Sequence, residues 1–270
     1  NPKRSSRSPL YSQRLVERLV MDQALKKISK QREIINRKVL FARFEEMAAW
    51  SGITNRNRAD VLNIFKEALA DGNNEVRRRF EKEHVKGSET VRAQAFLIDQ
   101  LVRVLYDTVV TYVYPVANPT KGEQIAIVAT GGYGRGELAP FSDVDLMFLL
   151  NYKRTPRTEQ LIEYMLYMLW DLGLKVGHAT RSINEAVKLS NDDLTIRTSL
   201  LEARFLWGDE QLYLRFKKNF SADVEASSSS AFVEAKLCER DKRHERMGDT
   251  RYVLEPNIKE GKGGLRDLQT

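Results

Sequence analysis

The chain has 270 residues, 42% of them hydrophobic and 30% charged, enough for a globular core and for one or two domains. A formal net charge of +7 and a pI near 9.4 favour acidic partners such as nucleotides, nucleic acid or an acidic protein face, without choosing among them. One cysteine, Cys238, excludes an internal disulfide framework and fits a reducing cytoplasm; no apolar run has membrane-spanning length and no signal-peptide pattern is present.

In chain order, the Arg-, Lys- and Ser-rich stretch to about Ser12 reads as a basic solvated tail that turns helical. "IINRKVLFARFEEMAAW" from Ile34 to Trp50 carries apolar residues at helical spacing. Asn55 or Asn57 caps a second helix, "RADVLNIFKEALADG", expected to stop near Gly72. A third helix, "SETVRAQAFLIDQLVRVLYDTVVTYVY", takes Ser88 as its N-cap and ends before Pro115. Residues 1–120 therefore read as a helical region. The texture changes after "NPTKGEQ". "IAIVAT", "DVDLMFLL" and "LKVGHATRS" read as strands, with the helix "RTEQLIEYMLYMLWDLG" closing at Gly173 between the last two; 121–190 is the expected core. Helical patterns return over 191–270, in "DDLTIRTSLLEARFLWG", "DEQLYLRFKKNF" and "ASSSSAFVEAKLCERDKRHERMG", where Ser227 to Ser230 is a linker or a helix start. Arg197 and Arg204 are expected about two turns apart on the first of these helices. The start at Asn1 and the stop after "GGLRDLQT" read as a fragment of a longer chain.

The chemistry concentrates in "GGYGRGELAPFSDVDLMFLL", Gly131 to Leu150. It is not a Walker A loop. Gly131 and Gly136 have the spacing, but Glu137 and Leu138 stand where Lys and Ser or Thr are needed. Nor is it a dinucleotide fingerprint, since counting from Gly132 or Gly134 puts Glu137 or Ala139 at the sixth position. A plain glycine turn is the alternative. Asp143 and Asp145 alternate on one strand, so they face one side with Cα atoms about 7 Å apart. Two acids at the mouth of a buried strand are costly without a cation, and hard oxygen ligands favour Mg²⁺; a solvated strand end is the bland reading. Taken together, the backbone N–H groups of Gly131 and Gly132 can meet a triphosphate while the aspartates grip metal ions on it. Arg135 is a candidate phosphate clamp, with a surface arginine as its alternative, and Ser142 precedes the acids as a further candidate cofactor-binding residue.

At these residues the chain resembles the nucleotidyltransferase superfamily with the DNA polymerase β-like core: Gly131-Gly132, the ten residues "YGRGELAPFS", then Asp143-Val144-Asp145. "LWDLGLKVGHATRS" and "EPNIKEGKGGLRDLQ" (Glu255 to Gln269) narrow the likeness to the bifunctional uridylyltransferase/uridylyl-removing enzymes of bacterial nitrogen control. The resemblance runs from about Ile125 to Thr270. It implies an α+β fold, a small mixed sheet flanked by helices. It also implies Mg²⁺-dependent transfer of UMP from UTP to a tyrosine of the PII signalling protein in the cytoplasm. Asp143 and Asp145 would be metal ligands, and Gly131 and Gly132 would cradle the triphosphate. Nucleic acid and membrane are not expected partners. Uridylyl removal belongs, in that family, to a His-Asp domain, and glutamine sensing to ACT domains. His84, His178 and His244 are followed by Val, Ala and Glu, so no His-Asp dipeptide occurs and the chain should transfer without removing.

A third carboxylate, frequent in the superfamily on a later strand, has no counterpart in "LKVGHATRS". His178 or Arg181 could face the site, and Asp171, Asp192 or Glu202 could reach it from elsewhere. "KEGKGGLRD" is either a bare turn or a source of positive charge through Lys259, Lys262 and Arg266. Two other functions stay open at this stage. One is adenylyl transfer to a protein such as glutamine synthetase. The other is a non-catalytic module that binds RNA, nucleotide or an acidic protein.

Overall fold

The computed structural model describes residues 28–53, 57–152, 154–226, 229–248, 255 and 257–268. The basic tail, Asn55 and half of the serine run, Ser227 and Ser228, lie outside them. Helices α1 (Gln31–Ile34), α2 (Arg37–Ser51), α3 (Arg58–Lys82) and α4 (Gly87–Thr108) come first, and α4 ends in a wider turn over Val109–Val113. The mixed part follows as β1 (Ile125–Ala129), α5 (Gly131–Gly134), β2 (Val144–Leu150), α6 (Pro156–Asp171), β3 (Val176–Ser182), α7 (Ile183–Asp192), α8 (Leu194–Leu201) and β4 (Arg204–Gly208). Helices α9 (Glu210–Ala226), α10 (Ser229–Arg246) and α11 (Leu265–Leu268) close the chain. No helix among the described residues is long and apolar enough to cross a membrane.

The sheet has the order β3-β2-β1-β4. β1 pairs antiparallel with both β2 and β4, whereas β2 and β3 run parallel. Both faces are covered, which is why β1 and most of β2 are continuous apolar runs rather than alternating ones. Ile125, Ile127, Leu146 and Phe148 face one core, shared with Phe44 and Phe65 of the N-terminal helices, with Leu97 of α4 and with Met165 of α6. Ala126, Val128, Met147 and Leu149 face another, with Leu200 of α8 and Leu212 and Phe216 of α9. By strand alternation Asp145 lies on this second face.

Three expectations are corrected. The second helix does not stop at Gly72. It continues to Lys82, and Gly72 is buried, because a Cβ there would overlap the side chain of Leu97 and approach Ile34 O at 3.1 Å. The glycine lets two helices approach closely instead of capping one. The third helix begins at Gly87 with Lys86 as its cap residue, so Ser88 is already inside it, although the end before Pro115 holds. "LTIRTSLLEARFLWG" is not one helix. α8 ends at Leu201, and Arg204–Gly208 is a strand that pairs with β1, beyond the expected end of the core at 190. Arg197 and Arg204 therefore share no helix face.

Candidate active site

β1 ends at Ala129, Thr130 N–H donates to Asp145 O at 3.0 Å, and the chain turns at Gly131 with φ 56. The one-turn α5 follows. Among the described residues the N–H groups of Gly131 and Gly132 have no acceptor, while those of Gly134 and Arg135 close onto Thr130 O and Gly131 O. Two of these glycines have a steric reason. A Cβ on Gly131 would stand 3.3 Å from Asp145 Oδ2, and one on Gly134 would overlap the carbonyl of Glu202. At the other end of the connection, Phe141 takes φ 68 with its ring 94% exposed, directly before Ser142 and Asp143. Ser142 is exposed and its N–H donates to Ala139 O at 3.1 Å.

The structure brings Asp145 and the glycine turn together. β3 supplies the third wall, for Gly177 pairs with Asp145 in the parallel ladder, and a Cβ on Gly177 would overlap Asp145 Oδ1. Two glycines far apart in sequence thus clear space for one carboxylate. Asp143 is exposed, whereas Asp145 is half-buried. Burial pushes the Asp145 carboxyl above its ordinary range; the Asp143 charge adds to that rise, and Lys259 opposes it. Two like charges held this way are the electrostatic condition in which a cation is welcome. The donor set suits Mg²⁺, which is commonly held by one or two carboxylates with substrate oxygens completing the shell. No cluster of three or more potential metal-ligating side chains occurs among the described residues.

The candidates for a third acid go elsewhere. Asp171 pairs with Arg58, Asp192 is exposed on α7, and Glu202 accepts from Arg135 Nη1 at 2.6 Å. His178 pairs opposite Leu146, on the other face from Asp145, and its ring meets Trp170 edge-on at 5.9 Å. Arg181 acts on Glu185 and Asp193 at the caps of α7 and α8. Arg135 sits beside the turn, its Nη2 3.4 Å from the place of a Cβ on Gly132, while it pairs with Glu202.

Beneath the turn lies a buried network that sequence reasoning missed. Arg204 of β4 donates to both oxygens of Asp99 of α4, at 2.6 and 3.1 Å, and to the carbonyls of Tyr133 and Gly134, each at 3.1 Å. The Tyr133 hydroxyl donates to Asp99 Oδ1 at 2.7 Å. Burial and the Asp99 charge push that hydroxyl's pKa well up, so it stays a donor. α5 is thereby tied from below to α4 and β4. Gly177 and Ser199, whose Oγ lies 3.9 Å from the place of a Cβ on Gly131, were also missed. An isolated glycine inside a strand pattern was a usable sign for Gly177. Ser199 and the network had none.

A mixed sheet with a glycine turn after its central strand and a carboxylate pair opening the next defines a nucleotidyltransferase. The family described as "Nucleotidyltransferase domain" matches residues 117–205, and that described as "GlnD PII-uridylyltransferase" matches residues 231–270. The chain is 55% identical over 244 residues, 90% of its length, to a bifunctional uridylyltransferase/uridylyl-removing enzyme of Rhodospirillum rubrum, and 54% identical over 243 residues to one of Azospirillum brasilense. One of Caulobacter vibrioides is 52% identical over 225 residues, 83% of the chain and 24% of the relative. The chain belongs to the family of bifunctional uridylyltransferase/uridylyl-removing enzymes. It spans about a quarter of their length, 26% for the first two relatives.

Proposed function

We propose that the chain carries the transferase half of this family's chemistry: UMP from UTP is attached to a tyrosine hydroxyl of a PII protein in the cytoplasm, with Mg²⁺. The observation that carries the proposal is the Asp145 carboxylate set against Gly131, 3.3 Å from the place of its absent Cβ, beside the Gly131 and Gly132 N–H groups, which have no acceptor among the described residues. Asp143 and Asp145 hold the metal, and Gly131 and Gly132 hold the phosphates. Arg135 and Ser142 line the same loop. Mg²⁺ bound there supplies charge for the attacking oxygen and for the departing pyrophosphate. The tyrosine oxygen bonds to the α-phosphorus as the bond to pyrophosphate breaks in line, and the hydroxyl proton is released. Uridylyl removal is not assigned to these residues. His244 is engaged with Asp267, and His178 faces the opposite layer.

The test is incubation of the protein with PII, Mg²⁺ and labelled UTP, with ATP and CTP as competitors. Label passes to PII from UTP, ATP does not replace it, and Asp143→Asn or Asp145→Asn abolishes the transfer while triphosphate binding weakens. Labelling from ATP instead of UTP, or undiminished labelling by both variants, overturns the proposal.

A further inference from the structure

α8 packs against the glycine turn with its rotation fixed. Asp193 caps its start, accepting from the N–H groups of Thr195 and Ile196 at 2.7 and 3.1 Å. Near its end Leu200 is buried in the apolar cluster that holds Met147 and Leu149 of β2. Just past the helix, Ala203 O accepts from the Tyr213 hydroxyl of α9 at 2.8 Å. With both ends and the apolar face pinned, the side that meets the turn cannot swing away from it.

Ser199 and the cap residue Glu202 are three positions apart, so they stand on that same side. The Glu202 carbonyl fills the space a Cβ on Gly134 would need, and its carboxylate holds Arg135 beside Gly132. Ser199 meets Gly131. Its Oγ lies 3.9 Å from the place of a Cβ on Gly131, and Asp145 Oδ2 lies 3.3 Å from the same point. An oxygen atom standing there is next to both. The Ser199 hydroxyl is partly buried and has no hydrogen-bond partner among the described residues. Its neighbour shows the usual fate of a hydroxyl inside a helix, for Thr198 Oγ1 donates to Leu194 O one turn back at 2.8 Å. Ser199 makes no such bond to Thr195 O.

We propose that Ser199 is a triphosphate-binding residue: its hydroxyl donates to a phosphate oxygen seated at Gly131. This rests on the proposed function for the identity of the anion as a nucleoside triphosphate. The Gly131 and Gly132 N–H groups have no acceptor among the described residues, and a serine hydroxyl adds one proton to give. A group that satisfies all three brings several acceptor oxygens and no proton, which describes a phosphate. A neutral donor is also what this corner needs, since it draws a phosphate oxygen toward Gly131 without taking the Asp145 carboxylate away from a metal ion.

The experiment is calorimetric titration of the full chain in Mg²⁺ with UTP, ATP and inorganic tripolyphosphate, on wild type, Ser199→Ala, Ser199→Cys and Thr198→Ala. Melting temperatures are recorded throughout. Alanine is the better helix former, so Ser199→Ala melts no earlier than wild type. Loss of one hydrogen bond to a charged oxygen weakens UTP binding about tenfold in Ser199→Ala. Tripolyphosphate binding falls by a similar factor, as a contact to phosphate rather than to sugar or base requires. Ser199→Cys keeps the shape with a poorer donor and loses affinity as well, a second removal of the same bond. Thr198→Ala leaves affinity unchanged, because that hydroxyl is spent on Leu194 O. Wild-type UTP affinity in a folded Ser199→Ala, undiminished tripolyphosphate affinity, or an equal loss in Thr198→Ala overturns the inference. Each leaves the proposed function standing, provided wild type still labels PII. Preference for ATP sinks the uridylyl reading, and the same variants then decide Ser199 with ATP. A chain that binds none of the three overturns both.

Discussion

At the scale of residues, the site is shaped as much by missing side chains as by present ones. Asp145 fits because Gly131 and Gly177 each leave a methyl-sized gap beside one of its oxygens. Gly177 has an ordinary strand conformation, so alanine is tolerable to the backbone but not to the carboxylate it faces. Gly177→Ala should keep its melting temperature within a few degrees and lose transfer activity on the order of 100-fold, the cost of displacing a reacting constellation by about an ångström. Steady-state rates beside a thermal melt check this, and a Gly177→Ala protein with wild-type turnover contradicts it. Much of the residue scale was legible in the sequence. Period-two alternation gave the expectation that Asp143 and Asp145 share one side, although β2 begins at Val144 and only Asp145 lies within it; failed motif spacings removed the Walker and dinucleotide readings. The steric neighbours of Asp145 were not legible, because strand pairing chooses them and no local pattern encodes which strand will lie alongside.

At the scale of elements, the glycine turn depends on two others. α4 gives Asp99 and β4 gives Arg204, 105 residues apart in sequence; Arg204 donates to two carbonyls of α5, while Asp99 accepts from Arg204 and from the Tyr133 hydroxyl. Their pairing is buried, so removing one partner leaves a charge without compensation. Asp99→Ala is expected to cost about 3–5 kcal/mol, a large share of a typical domain's stability, whereas Asp99→Leu with Arg204→Met costs much less. Denaturant unfolding measures both, and a mild loss in the single variant shows that the pair is not the support of the turn. This support escaped sequence reading because β4 did. "RFLWG" continues the apolar spacing of α8 without a strong breaker, and its strand state is decided by pairing with β1 and by the bond from Trp207 Nε1 to Asp107 at 2.6 Å. The first three strands were legible because turns or helix ends punctuate their apolar runs. Gly72 misled for the opposite reason, since a glycine used for close approach looks locally like one that ends a helix.

At the scale of the whole molecule, the helical N-terminal part and the sheet are not independent. Phe44, Phe65 and Leu97 share one apolar cluster with Ile125, Phe148 and Leu161, so a cut near residue 120 divides a core rather than a linker. Calorimetry should show one cooperative transition for the described body, and residues 121–270 alone should not reproduce it. Two resolved transitions, one surviving in that shorter chain, would refute this. The positive balance of the chain, +7, fits a protein whose expected ligand brings several negative charges to a single corner.

The antiparallel ladder of β1 and β2 has one further consequence. Ala129 is paired with Leu146, which leaves Asp145 one step past the end of β1 and level with the glycine turn. A slip of one residue would turn that acid into the layer of Phe148 and set a leucine before the phosphates. Water exclusion and ligand spacing are thus measured by the same ruler. A molecule that has closed its sheet has already fixed the distance a nucleotide must span, before it meets one.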